Sequence, residues 1–134
     1  MDGCQLDHFS ILVRDIDVSV SFYTNVFGFR PLAQEVGLSK NVWLEIGGLD
    51  SIHISEGEFG ETHLKKDTHF ALRVADFDGF VADLCARSIG YCDWTGNQNR
   101  IGERSDGFRQ VYIQDPDGYW IEVNDHTRNV AVQR

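Results

Sequence analysis

One stretch of this chain occurs twice, and the second copy limits the folds open to it. Leu6-Asp7-His8-Phe9-Ser10-Ile11-Leu12-Val13-Arg14-Asp15-Ile16-Asp17 is answered, 61 residues later, by Asp67-Thr68-His69-Phe70-Ala71-Leu72-Arg73-Val74-Ala75-Asp76-Phe77-Asp78. His, Phe, Val and both Asp positions are identical, and Ile11/Leu72 and Ile16/Phe77 are like for like. A fixed period of nearly half the 134 residues means two copies of one supersecondary unit. Each copy opens with a histidine at the head of an alternating apolar run. That pair of histidines is the seed of a candidate metal site.

In the first copy, Phe9, Ile11 and Val13 share one face and His8, Ser10 and Leu12 the other, the period of a half-buried strand. Asp15 and Asp17 are N-cap candidates for a helix, because their carboxylates accept from free first-turn N–H groups. Val18, Phe22 and Val26 recur at helical spacing, widened by Tyr23 and Phe27, and Gly28 is placed to end the helix. Two further strands are expected, Val42 to Ile46 and Ser51 to Ser55, joined by Gly47-Gly48-Leu49-Asp50. Leu44, Ile46, Ile52 and Ile54 pack toward the helix, so Glu45 and His53 join His8 and Ser10 on the opposite face. Glu56 to Lys66 reads as a linker between copies.

The second copy repeats the plan. Phe70, Leu72 and Val74 face the helix, and His69, Ala71 and Arg73 face away. Phe77, Val81, Leu84 and Cys85 form the helical stripe, with Gly90 as its expected end. Tyr91 to Trp94 is extended, and Thr95 to Gly107 is a long polar loop of the kind that often carries function. Val111 and Ile113 pack, which puts Tyr112 on the open face. Asp115-Pro116-Asp117-Gly118 is a turn, with Pro presetting φ and Gly taking the left-handed exit. In the last strand, Tyr119 to Asn124, Ile121 and Val123 pack and Glu122 faces the same side as Tyr112. Ile52-His53-Ile54 and Ile121-Glu122-Val123 thus occupy matching places, and each copy offers two ligand-type side chains: His8 and His53, His69 and Glu122.

Two histidines and a carboxylate on rigid strands form a facial ligand set that leaves open positions, suited to Fe, Mn, Ni, Co or Zn in the divalent state. His53 is a fourth candidate ligand, and two sites would still remain for a chelating diol, hydroxyketone or hydroxy acid. Such a metal acts as a Lewis acid toward an enolate or oxyanion. Glu122 and His53 are candidates to move a proton, with Glu45 behind them. Arg73 on the open face suits a substrate carboxylate or phosphate. His63 and His126 read as loop and tail residues.

Composition narrows the partners. A formal net charge of −9 argues against nucleic acid and against an anionic membrane surface. The N-terminus has neither the basic start nor the apolar core of a signal peptide, and no apolar run approaches the roughly 20 residues that span a bilayer. Cys4, Cys85 and Cys92 are odd in number and contain no Cys-x-x-Cys pair, which fits reduced thiols in a cytoplasmic protein.

Across residues 6 to 126 these motifs resemble the vicinal oxygen chelate superfamily, the glyoxalase I, bleomycin-resistance and extradiol dioxygenase group. The likeness rests on His8 in Leu-Asp-His-Phe, Ser21-Phe22-Tyr23 through Phe27-Gly28-Phe29, His69 in Thr-His-Phe-Ala-Leu-Arg-Val, and Asp115-Pro116-Asp117-Gly118 leading to Glu122. It implies an α+β fold of two βαβββ modules, about 6–56 and 67–126 within a single domain 1–134, whose mixed sheets curve into a cup around one metal. It carries His8, His69 and Glu122 onto the family's metal positions. His53 stands where glyoxalase I has a second, catalytic glutamate, which counts against that enzyme's own reaction. Ser10 stands where fosfomycin thiol transferases carry a threonine, and Tyr112 where they carry a tyrosine. The expectation is a metal-dependent lyase or isomerase acting on a small vicinally oxygenated substrate, in a homodimer. The alternatives are a ring-cleaving dioxygenase, a fosfomycin-type thiol transferase at the same site, or a non-catalytic drug-binding protein.

Overall fold

The structure is a computed structural model that describes residues 3–32, 40–48, 50–61 and 64–126. The chain divides into two compact units, Met1–His63 and Leu64–Arg134. Each holds one helix and one four-stranded mixed sheet, the α+β module expected from the repeat.

The first unit runs β1 (His8–Val13), α1 (Ile16–Phe27), β2 (Arg30–Pro31), β3 (Asn41–Gly47) and β4 (Asp50–Glu56), with sheet order β1-β4-β3-β2. β1 lies parallel to β4, and β3 is antiparallel to both β4 and β2. The α1 N-cap is Asp15, whose Oδ1 accepts from the backbone N–H of Asp17 at 3.0 Å and Val18 at 3.2 Å. Asp17, the other cap candidate, lies one step inside the first turn. Gly28 closes the helix at φ 71°, a left-handed conformation in which a Cβ is strained. The buried face of α1 is Ser19 and Tyr23, while Val18 is exposed. The stripe is therefore rotated from the Val18/Phe22/Val26 line, because the Tyr23 ring stacks on Phe29 at 5.8 Å and draws the helix onto that side. Ile11, Val13, Leu44, Ile52 and Ile54 complete this core. Burying each such side chain stabilises by roughly 1.5–3 kcal/mol.

The second unit repeats the topology with β5 (His69–Arg73), α2 (Phe77–Ala86), β6 (Gly102–Glu103), β7 (Arg109–Gln114) and β8 (Trp120–Asn124), in the order β5-β8-β7-β6. Phe77, Val81 and Leu84 of α2 and Val111, Ile113, Ile121 and Val123 of the sheet are buried in its core. Cys85, assigned to the stripe by spacing, is exposed. The helix stops at Ala86, four residues before Gly90, and Ser88 takes the left-handed turn at φ 55°. Inside the segment expected to be loop, Gly102–Glu103 pairs with Gln110–Arg109 as an edge strand. The Asp115–Gly118 turn forms as read: Asp115 Oδ1 accepts from the N–H groups of Asp117 and Tyr119, both at 2.9 Å, and Gly118 has φ 94°.

Register confirms the match between the copies. Ser10 pairs with His53 in the first sheet, and Ala71, at the repeat position of Ser10, pairs with Glu122 in the second. Trp43 opposes His53 just as Tyr112 opposes Glu122. Cys4, Cys85 and Cys92 are all free thiols. Among the described residues no helix is long and apolar enough to cross a membrane. His63 and most of the segment before Asn41 lie outside the described residues.

Candidate functional site

Period-two alternation puts His69, Ala71 and Arg73 of β5, Tyr112 of β7, and Glu122 and Asn124 of β8 on the open face of the second sheet. Within that face His69 and Glu122 come together, with Nε2 of His69 3.6 Å from Oε1 of Glu122. The other ring nitrogen, Nδ1, lies 2.7 Å from the backbone carbonyl of Lys66. A carbonyl only accepts, so Nδ1 carries the proton, and Nε2 is the nitrogen with a lone pair in the neutral ring. A backbone acceptor behind a histidine that aims its other nitrogen at a carboxylate is the support that metal-ligating histidines use.

The Glu122 carboxylate is buried but well supplied with donors. The Tyr112 hydroxyl donates to Oε1 at 2.9 Å, and Asn124 Nδ2 donates to Oε2 at 2.5 Å. Arg104 Nη1 stands 3.6 Å from Oε2. Tyr112 is itself buried, and its ring meets His69 edge-on at 5.3 Å. Burial, and then the hydrogen bond to Glu122, hold the Tyr112 hydroxyl protonated well above the ordinary phenol range.

The wall beside this site is built by Lys66 and the Tyr91–Asn99 segment. Lys66 Nζ donates to the carbonyls of Asp93 (3.1 Å) and Trp94 (3.2 Å) and sits 4.8 Å from the Trp120 ring centre. Asp93 gathers the loop, accepting from Asn97 N at 2.8 Å, Asn97 Nδ2 at 3.0 Å and Thr95 Oγ1 at 2.9 Å. The Asn97 side-chain hydrogen bond leads the effects that pull the Asp93 carboxyl down to about 2, working against its burial.

In the first unit, His8 repeats the posture of His69. Its Nδ1 lies 2.5 Å from Asp7 Oδ2, leaving Nε2 as the outward nitrogen, and its ring packs edge-on against Trp43 at 4.7 Å. His53 is held differently. Its ring stacks on Trp43 at 4.3 Å, Nε2 donates to Asn41 Oδ1 at 3.1 Å, and Nδ1 faces the Ser10 hydroxyl at 3.4 Å. Both nitrogens of His53 thus have protein partners. Glu45 shares that face and forms an ion pair with Arg30 at 2.9 Å. Among the described residues no group of three or more His, Cys, Asp or Glu side chains converges as a metal-ligand set; the pair brought together is His69 and Glu122.

Four contributors were not singled out from sequence: Asn124, Arg104, Lys66 and Trp94. Asn124 carries a usable signal, since it lies two residues beyond Glu122 and so on the same face. Arg104 and Lys66 sit in irregular segments where spacing says nothing about direction. His126, read as a tail residue, instead packs edge-on against Phe108 at 4.4 Å and borders the open face near Arg73.

The profile of the Glyoxalase/Bleomycin resistance protein/Dioxygenase superfamily matches residues 5–123, and the chain belongs to that superfamily. An uncharacterized protein of Bacillus subtilis (strain 168), YwbC, is 29% identical, over 88% of this chain and 94% of its own length. Glyoxylase I 4 of Arabidopsis thaliana is 28% identical, over 88% of this chain and 68% of its own. Among solved structures, Oxidase ChaP-H2 superposes with a TM-score of 0.75 at 22% identity, covering 94% of this chain and 96% of its own; at that identity the likeness speaks for the fold alone.

Proposed function

We propose that the protein is a metal-dependent enzyme of the lyase or isomerase kind, acting on a small substrate with adjacent oxygens, with His8, His69 and Glu122 as ligands of one divalent metal. The observation that carries this is the posture of His69, with Nδ1 tied to a carbonyl and Nε2 turned on the Glu122 carboxylate. His8, at the repeat position, has its Nδ1 tied to the Asp7 carboxylate. The donor set of two imidazole nitrogens and one carboxylate fits Zn, Ni, Mn, Co or Fe. Bound there, the metal supplies Lewis acidity for an oxyanion or enolate.

The chain's own residues set the rest. Tyr112 and Asn124 fix the direction of Glu122, so its carboxylate does not need to reorganise during a reaction. His53, with both nitrogens engaged, orients Trp43 behind His8 and is a positioning residue more readily than a fourth ligand. Glu45 retains Oε1 beyond its pairing with Arg30 and is the carboxylate on the first unit's open face suited to moving a proton. Ser10 keeps His53 in its tautomer, and Tyr112 lines the substrate side. A homodimer accords with the family reading.

The test is metal content by elemental analysis of untagged protein purified without added metal. About one equivalent is expected in the natural protein, with severe loss in His8→Ala, His69→Ala and Glu122→Ala and none in His126→Ala. Iron at that level would redirect the reaction toward oxygen-dependent ring cleavage. Equal metal in all variants, or none taken up on titration, refutes the ligand set and moves the function to small-molecule binding.

A further inference from the structure

A cavity of about 230 Å³ opens on the same face of the second sheet, lined by Ala71, Arg73, Arg104, Asn124 and His126. Two guanidinium groups and an imidazole share it, in a chain whose net charge is −9. The walls are fixed by contacts within this unit. Arg104 is held between Asp106 Oδ2 at 2.8 Å and Glu122 Oε2 at 3.6 Å. Asn124 accepts from the His126 backbone N–H at 3.0 Å while donating to Glu122. Phe108 backs the His126 ring. The Arg73 side chain, by contrast, forms no hydrogen bond or ion pair among the described residues, although its backbone is paired in the strand that presents His69.

We infer that this cavity is an oxyanion subsite, which anchors the carboxylate, phosphonate or phosphate end of the substrate while the reacting oxygens lie at His69 and Glu122. The inference rests on the metal-site reading above and adds the substrate's charge to it. A planar guanidinium gives two parallel N–H donors, the fork that matches an oxyanion. Arg73 brings that fork with its charge uncompensated. Arg104 is already positioned by two carboxylates and needs no reordering to donate from its remaining N–H groups. The small Ala71 side chain leaves the floor open between Arg73 and the Glu122 strand, since Ala71 and Glu122 are register partners. Asn124 and Arg104 touch both the cavity and the Glu122 carboxylate, so anion and reacting centre lie one side chain apart. The subsite therefore selects substrates that carry an acidic group close to their vicinal oxygens, and disfavours neutral ones.

Calorimetric titration with inorganic phosphate, and separately with acetate, tests this on the purified protein with its metal content measured in the same samples. Phosphate is expected to bind, and Arg73→Ala to weaken it at least about tenfold with metal content unchanged. Arg87→Ala, which alters an exposed arginine at the C-cap of α2 outside the cavity, is expected to leave it unchanged. Arg73→Gln keeps the side chain as far as Cδ, removes the charge and should behave as Arg73→Ala, which guards against misfolding of either. Preference for acetate over phosphate, lost in the same two variants, would assign the site to carboxylates. Phosphate and acetate binding that is absent, or unchanged by both Arg73 substitutions, overturns the inference while leaving the metal reading intact. Loss of binding together with metal does so too, since the anion then belongs to the metal. Arg73-dependent binding in a protein that takes up no metal keeps the subsite and removes the metal reading.

Discussion

Tyr112→Phe isolates the support of Glu122 with the least disturbance. The ring keeps its volume against His69 and Trp94, so no cavity opens, and only the hydroxyl that donates to Glu122 Oε1 at 2.9 Å is lost. Both groups are buried, and a hydrogen bond to a charged partner contributes about 1.5–3 kcal/mol. Asn124 and Arg104 remain on the other oxygen, which places the expected loss toward the lower half of that range. Urea unfolding at neutral pH should therefore show a lower midpoint with an unchanged slope, equivalent to roughly a 5–10 °C fall in Tm for a chain of this size. The pH dependence supplies a second signature. The folded-state hydroxyl loses its proton only well above the ordinary phenol value near 10, so its stabilisation is complete below about pH 10 and is lost as pH rises beyond it. The gap between the natural protein and Tyr112→Phe should narrow on the alkaline side and stay flat between pH 6 and 9. A difference under about 0.5 kcal/mol at neutral pH, or a gap that widens in alkali, refutes the claim that this hydroxyl holds the carboxylate.

Two further outcomes follow from the fold. The Asp93 carboxyl titrates at about 2 in the folded chain, below the usual carboxylate value, so its contribution is present above about pH 4 and fades toward pH 2; Asp93→Asn should flatten stability against pH across that window, read by fluorescence-detected unfolding. Gly28→Ala should destabilise by about 1 kcal/mol because Gly28 sits at φ 71°, whereas Gly90→Ala, at a position without positive φ and with nothing within 4 Å of an added Cβ, should be near neutral in thermal melts.

Strand alternation and the repeat carried far into this structure. The facing of His8, Ser10, Glu45 and His53, and of His69, Arg73, Tyr112 and Glu122, follows from period two alone, because one shift of register would turn Ile11, Val13, Ile121 and Val123 out of the core. The equivalence of His53 and Glu122 was likewise readable from Ile-His-Ile against Ile-Glu-Val. The rotation of α1 was not, since Tyr23 gains its place from stacking on Phe29 across a turn. The end of α2 was missed because Ser88 adopted a conformation that glycine usually takes. Nor did spacing reveal that His53 has partners on both nitrogens, or that Arg104 and His126 border one cavity with Arg73. Those depend on where irregular chain crosses a sheet edge, and no periodicity constrains that.

The matched registers also say where this chain has room to change. His8 and His69 are 61 residues apart, as are the N-cap residues Asp15 and Asp76, yet Trp43 and Tyr112, like His53 and Glu122, are 69 apart. The eight additional residues of the second copy all fall between its helix and its hairpin, and the pairings on either side are unbroken. The second copy is thus the longer, while its first and last strands meet as those of the first copy do. The segment from Ile89 to Phe108, which contributes Arg104, Trp94 and part of the wall around the site, can lengthen or shorten while His69 and Glu122 keep their spacing. The strands that carry His69 and Glu122 and the segment that carries Trp94 and Arg104 are thus separate parts of one unit, the first set by sheet register and the second by loop length.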